Sequence, residues 1–174
     1  MAVLTIAVLT ILSSASFHVD RHFDRHFDRQ LCPADGPDKD GEFHPLAVQA
    51  LELAGDWLAV NGQAIYATRS MPVHWNDTKS DYVRYTRSKD NTTIFAIALT
   101  GFGGPDALAV ELTLSCVEPV AGSSIYLLGQ NASAVKWRQD KATGLTTIQV
   151  PAAAASLPGP GYSFKITGKP SDRC

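Results

Sequence analysis

The chain of 174 residues is most informative at first through what it lacks. There is no basic stripe. Fifteen Lys and Arg oppose seventeen Asp and Glu, a formal net charge of -2. The most basic stretch, Arg84 to Lys89, is interrupted by Tyr85 and Thr86. Nucleic-acid-binding domains concentrate cationic side chains on one face, so no nucleic-acid partner is expected. No apolar run approaches the roughly 20 residues that cross a bilayer. The longest, Ala2 to Leu12, falls well short, so no membrane span is expected. Cysteine is scarce: Cys32, Cys116 and Cys174 form no C-x-x-C pair, which excludes a zinc ribbon or a thioredoxin-like motif. Their odd number leaves at least one thiol free or paired between chains. Cys116 sits in a strand-like stretch that suits a buried side chain, and no connectivity follows from spacing. The G-x-S-x-G elbow, H-E-x-x-H and Walker loop are absent. Gly101-Phe102-Gly103-Gly104 is followed by Pro105 rather than a helix, so it reads as a connecting loop and not as a phosphate cradle. The length cannot hold a complete (β/α)₈ barrel, which takes about 250 residues.

What is present suits one globular domain, with 45% hydrophobic and 18% charged residues. Residues 1–15 read as a secretory signal: the apolar run ends in Ser13 and Ala15, small residues at the two positions a signal peptidase requires. Residues 16–35 are a low-complexity linker. They contain three near-identical units, His18-Val19-Asp20-Arg21, His22-Phe23-Asp24-Arg25 and His26-Phe27-Asp28-Arg29. On a helix His18, His22 and His26 would stack about one turn apart, a metal-compatible spacing. The unit alternates charge and has no wide apolar stripe, however, so it reads as a linker. No metal or other cofactor is expected. Three N-x-[ST] sequons, at Asn76, Asn91 and Asn131, occupy polar, turn-like stretches and are candidate N-glycosylation sites on a secreted or lysosomal route.

Pro45 to Leu58 reads as a helix. Pro45 suits its first position, and Ala47, Ala50, Leu51, Ala54 and Leu58 recur at spacings of three and four. Asn61-Gly62 is expected to stop it, with Gly62 left-handed. After Gly62 the period changes to two. Strands are expected at Tyr82–Thr86, Thr93–Leu99 (covered on both faces), Leu108–Ser115, Ile125–Leu128, Val135–Arg138, Leu145–Val150 and Tyr162–Thr167. Ser88 to Asn91 forms a hairpin loop and Pro151 to Gly161 a long one. The fold class is all-β, an antiparallel β-sandwich of seven or eight strands preceded by one helix.

Few residues invite chemistry. His44 and His74 are isolated, and neither has a Ser or Cys partner. Trp57 and Trp137 read as packing residues among strand-patterned or apolar neighbours. Trp75, followed by Asn76-Asp77, is balanced between packing and an exposed glycan contact.

One segment carries a resemblance. Gly55-Asp56-Trp57-Leu58-Ala59-Val60-Asn61-Gly62-Gln63-Ala64-Ile65-Tyr66-Ala67-Thr68-Arg69 resembles the junction of α-L-fucosidases, which joins the last barrel helix to a C-terminal β-sandwich. Tyr85-Thr86, Ile94 to Leu99, Ile125 to Gly129, Val135-Lys136-Trp137, Gly144 to Pro151 and Phe164 to Gly168 are similar to the family's later strands. The resemblance implies residues 36–61 as the end of a catalytic barrel and 62–174 as the C-terminal sandwich. The family's Asp nucleophile and acid/base carboxyl lie on the barrel, upstream of everything matched, so no catalytic residue is assigned to this chain. The expected function is that of a non-catalytic C-terminal domain of an α-L-fucosidase, present as a fragment, with the catalytic barrel as its partner. The alternative is a secreted glycan-binding sandwich that contacts a fucosylated glycan through Trp75.

Overall fold

Two periodicities, one helical and one extended, organise the residues that the computed structural model describes, 40–71, 75–99, 110–130, 134–159 and 161–171. The signal-like segment, the tetrapeptide repeat, Cys32, His74, the glycine-rich loop, the Asn131 sequon and Cys174 lie outside them.

Helix α1 spans Pro45–Asn61. His44 caps it, its Nδ1 accepting the Leu46 amide at 3.3 Å. This gives the isolated histidine a local structural task. Ala50, Ala54, Trp57 and Asn61 recur every three or four residues and are buried, so they form the stripe that packs on the sheet. The expected left-handed stop at Gly62 does not occur. Gly62 has φ -56 and continues into a 3₁₀ turn, Gly62–Ala64. Its carbonyl accepts the amides of Ile65 at 3.0 Å and Tyr66 at 2.7 Å, and a Cβ on it would meet the Tyr66 ring at 3.0 Å. A side chain there would crowd the Tyr66 ring, which is itself exposed, and the positive φ (58) falls on Ala67 instead.

Ten strands follow among the described residues: β1 (Thr68–Ser70), β2 (Val83–Ser88), β3 (Thr93–Leu99), β4 (Glu111–Leu114), β5 (Val117–Pro119), β6 (Ile125–Leu127), β7 (Ala134–Val135), β8 (Trp137–Gln139), β9 (Thr146–Gln149) and β10 (Gly161–Pro170). All named pairings are antiparallel. The larger sheet runs β1-β2-β3-β10-β6-β7, with β5 also on β10, and the smaller runs β4-β9-β8. The count exceeds seven or eight for two reasons. Strands β1 and β5 have three residues each, too few to show a period. The Val135–Arg138 stretch, read as one strand, is two. Val135 pairs with Ile125 in the larger sheet and Trp137 with Ile148 in the smaller, so the chain changes sheet at Lys136. The Lys136 carbonyl still accepts the Gln149 amide at 2.9 Å.

Strand β3 is buried on both faces, as its unbroken apolar run requires. Ile94, Ala96 and Ala98 join Leu112, Leu114, Ile148, Phe164 and Ile166 in the core between the sheets. Phe95, Ile97 and Leu99 meet Ala54, Trp57, Ala64 and Leu128 under α1. Trp57 is only 1% exposed, and its indole N–H donates to the Gly161 carbonyl at 2.8 Å. Gly159 passes beside it at φ +81, where a Cβ would sit 2.8 Å from Trp57 Cδ1. Cys116 is buried and disulfide-bonded.

Trp57→Ala should lower stability by about 3–5 kcal/mol, the usual cost of truncating a buried aromatic residue. Gly159→Ala should lower it by about 1–3 kcal/mol through overpacking against the same ring. Urea unfolding of the full chain measures both, and a Trp57→Ala midpoint equal to the parent's would contradict this account of how α1 is held.

Candidate functional site

Three features have the residue chemistry of a site: a buried carboxylate, an exposed tryptophan and the outer face of α1. The carboxylate belongs to Asp77. Residues 75–77 extend the β1 edge of the larger sheet. The Tyr85 amide donates to the Trp75 carbonyl at 2.8 Å and the Asp77 amide to the Val83 carbonyl at 3.1 Å, around a bridge between Asn76 and Arg84. This places the Asp77 side chain at the mouth of the sandwich, where it is 1% exposed. Its Oδ1 accepts the amides of Lys79 at 2.7 Å and Ser80 at 2.9 Å. Its Oδ2 accepts the Tyr85 hydroxyl at 2.6 Å, the Ser115 amide at 2.7 Å and hydroxyl at 3.1 Å, and the Cys116 amide at 3.4 Å. Thr78 adds a hydroxyl contact to Ser115 Oγ at 2.8 Å, and Ser80 Oγ donates to the Thr113 carbonyl at 2.9 Å.

A buried anion with no basic partner is costly unless hydrogen bonds replace its water. Here amides and hydroxyls from both sheets do so. The chemical consequence is adhesion. The phenol of Tyr85 pays the complementary cost: burial, then the Asp77 charge, then the hydrogen bond to it hold its pKa well above the ordinary tyrosine value. In the sequence, Asn76-Asp77 reads as part of a sequon and as polar neighbours of Trp75. The signal that reading passes over is the Asp-x-Lys-Ser spacing, in which an aspartate folds back on the amides two and three residues ahead.

Trp75 is 48% exposed, and the Arg84 guanidinium lies 4.9 Å from its ring centroid. One face of the indole is therefore occupied by a cation. Arg84 is itself partly desolvated, which lowers its pKa, opposed by Asp81. Trp57 and Trp137 are packing residues: Trp57 as described above, and Trp137 half-buried with its indole N–H donating to the Ser123 carbonyl at 3.0 Å. The sequons differ. Asn91 is exposed at the β2–β3 hairpin tip with φ 61, its Oδ1 accepting from Arg87 Nη1. Asn76 is half-buried beside the Asp77 network. No group of three metal-ligating side chains occurs among the described residues, and no described helix is long and apolar enough to cross a membrane.

The outer side of α1 is the third feature. The sheet covers only one stripe of the helix. Phe43 just ahead of it, and Leu46, Val48, Leu51 and Leu53 on it, remain exposed, Leu51 by 50%. Large apolar residues grouped on one element mark a contact surface more often than isolated ones do.

A helix-clamped antiparallel sandwich, with its one buried carboxylate among the described residues committed to holding the sheets together, defines an accessory β-sandwich domain. Residues 75–167 match the α-L-fucosidase C-terminal domain family, and the chain belongs to that family. It is 34% identical over 121 residues to an α-L-fucosidase of Branchiostoma floridae, covering 70% of this chain and 25% of that protein. It is 31% identical over 137 residues to the tissue α-L-fucosidase of Homo sapiens, covering 76% and 27%. The chain thus spans about a quarter of the length of these relatives. Among solved structures, a Thermotoga maritima α-fucosidase in complex with fucose shares the fold at TM-score 0.58 and 20% identity, over 75% of this chain and 28% of that one. A GH29 α-L-fucosidase from Bacteroides thetaiotaomicron does so at TM-score 0.56 and 19% identity, over 75% and 26%.

Asp77→Asn should cost about 3 kcal/mol, because an amide nitrogen replaces an oxygen among donors. Tyr85→Phe should cost about 1–3 kcal/mol. Chemical denaturation reads both, and losses below 0.5 kcal/mol, the range of ordinary surface changes, would show that the network is dispensable. The pH dependence follows from Tyr85 and from Tyr162, whose pKa burial and then Tyr82 raise to about 12. Both folded-state values exceed the unfolded value of about 10, so the contribution is complete below that pH. It is lost as pH rises toward the folded values, because only the unfolded chain ionises there. Thermal midpoints should therefore fall steadily above about pH 10.

Proposed function

We propose that this chain serves as the C-terminal structural domain of an α-L-fucosidase, seated against a catalytic barrel through the exposed apolar residues of α1. Residues 36–61 are then the end of that barrel, and the sandwich is the buttress behind it. The observation that carries this reading is the run of exposed apolar residues on α1. The helix stripe centred on Ala50, Ala54 and Trp57 is packed on the sheet, while Leu46 and Leu53 on one flank of it and Val48 and Leu51 on the other remain exposed. The relatives it matches are about four times as long as the stretch they share with this chain. The α-L-fucosidase activity belongs to that combined protein; the described residues supply rigidity and a docking stripe. A secretory or lysosomal route accords with the signal-like segment, the exposed Asn91 sequon and the disulfide at Cys116.

A second reading, a glycan contact at Trp75, is favoured by the exposure of its indole. Arg84 leaves only one ring face for a sugar. A fucose titration that quenches or shifts the fluorescence of the parent chain but not of Trp75→Ala would support it.

The purified chain should release no product from an aryl α-L-fucoside above buffer background, and turnover that survives repurification would overturn the structural reading. The same chain should self-associate as its concentration rises. Leu51→Glu with Leu53→Glu should restore a monomer in sedimentation without lowering the thermal midpoint by more than a few degrees. A parent chain that stays monomeric at millimolar concentration argues against a docking stripe on α1.

A further inference from the structure

We propose that, of the two sequons among the described residues, Asn91 carries an N-linked glycan and Asn76 does not. The proposal rests on the secretory reading above for access to the modifying enzyme, and on geometry for the choice between the two asparagines.

Asn91 sits at the tip of the β2–β3 hairpin, where its surroundings fix the backbone and free the side chain. Its amide donates to the Ser88 carbonyl at 3.1 Å. The Thr92 amide donates to Asp90 Oδ1 at 3.2 Å and the Thr93 amide to Ser88 Oγ at 3.1 Å. Asn91 takes φ 61, a left-handed conformation that asparagine tolerates better than most residues. It is exposed. Arg87 Nη1 donates to its Oδ1, which leaves Nδ2, the atom that bears a glycan, without a partner among the described residues. Thr93, the sequon hydroxyl, opens β3 and is only half-buried.

Asn76 is placed differently. It is half-buried and its backbone is bridged to Arg84. The next residue is the buried Asp77. The hydroxyl of its sequon, on Thr78, lies 2.8 Å from Ser115 Oγ. A hydrated sugar chain leaving Asn76 would crowd the mouth of the sandwich, where donors from both sheets stand in for the water that the Asp77 carboxylate has lost.

The transfer forms a bond between Asn91 Nδ2 and C1 of an oligosaccharide carried on a lipid pyrophosphate, the donor that the secretory pathway supplies. The bond from C1 to the pyrophosphate oxygen breaks. The lipid pyrophosphate leaves with that electron pair, and one Nδ2 hydrogen departs as a proton. A glycan there stands clear of the docking residues. Trp57 reaches the Gly161 carbonyl, opposite Leu99, and Thr93 lies at the other end of β3, about 20 Å along the strand. Leu46, Val48, Leu51 and Leu53 precede Trp57 on α1, and the helix runs from them toward the hairpin end, where the Thr86 hydroxyl donates to the Ala64 carbonyl. They are therefore left uncovered.

The test expresses the full chain in eukaryotic cells in two forms, as it stands and with a cleavable secretion leader fused ahead of it. Chain recovered from the secretory lumen and the medium is treated with an amidase that releases N-glycans and converts each attachment asparagine to aspartate. Peptide mass spectra should show this conversion at Asn91 in most molecules of both forms, and at Asn76 in neither. Thr93→Ala should abolish it and Thr93→Ser should retain it; both variants keep Asn91 in place. Conversion at Asn76, or its absence at Asn91 in chain from the lumen, overturns the proposal. Conversion at Asn91 in the leader-fused form alone upholds the site and overturns the secretory reading.

Discussion

A strand that is apolar on both faces has to be covered twice, and this requirement shapes the domain. Strand β3 presents Ile94, Ala96 and Ala98 to one side and Phe95, Ile97 and Leu99 to the other. The smaller sheet satisfies the first set and α1 the second. Remove either cover and roughly 25 cal/mol is lost for each Å² of apolar surface returned to water. The helix is therefore part of the sandwich's own packing, even though the resemblance assigns it to a neighbouring domain. One stripe of α1 belongs to β3 through Trp57, and the apolar residues on its flanks stay exposed.

The mouth of the sandwich is held by different chemistry. Sheets packed only by side-chain contact can shift, because apolar contact is not directional. Asp77 gives direction, since its two oxygens receive donors from residues 79 and 80, from β2 and from the β4–β5 corner. A buried carboxyl group is costly without such donors, and their number explains why the domain's one buried acid among the described residues is a fastener.

Much of this was legible in the sequence, for identifiable reasons. The change from a period of 3.6 to one of two at Gly62 located the helix and the start of the sheet. The unbroken Thr93–Leu99 run announced a doubly covered strand, and the alternation of Tyr162, Phe164 and Ile166 announced β10. Legibility failed where tertiary contacts decide. Gly62 read as a left-handed stop because local preference favours one, but the backbone there stays right-handed and runs on into a 3₁₀ turn. Val135 to Arg138 alternates cleanly and still belongs to two sheets, since a strand's period carries no information about which sheet its partner occupies. The short β1 and β5 are strands by virtue of their neighbours. At the candidate site, Trp75 was visible as an ambiguous exposed aromatic residue, whereas Asp77 was hidden. Its role depends on Ser115, almost forty residues away in sequence.

The order of strands carries a consequence for biosynthesis. Strand β10 lies at the centre of the larger sheet, between β3 and β6, yet it is the last strand of the described chain. A ribosome adding about 5–20 residues per second delivers β3 several seconds before the strand that will pair with it. Throughout that interval the nascent polypeptide holds an open, apolar edge. Helix α1 emerges before β3, so it can shelter one side of the waiting strand until the centre of the sheet arrives.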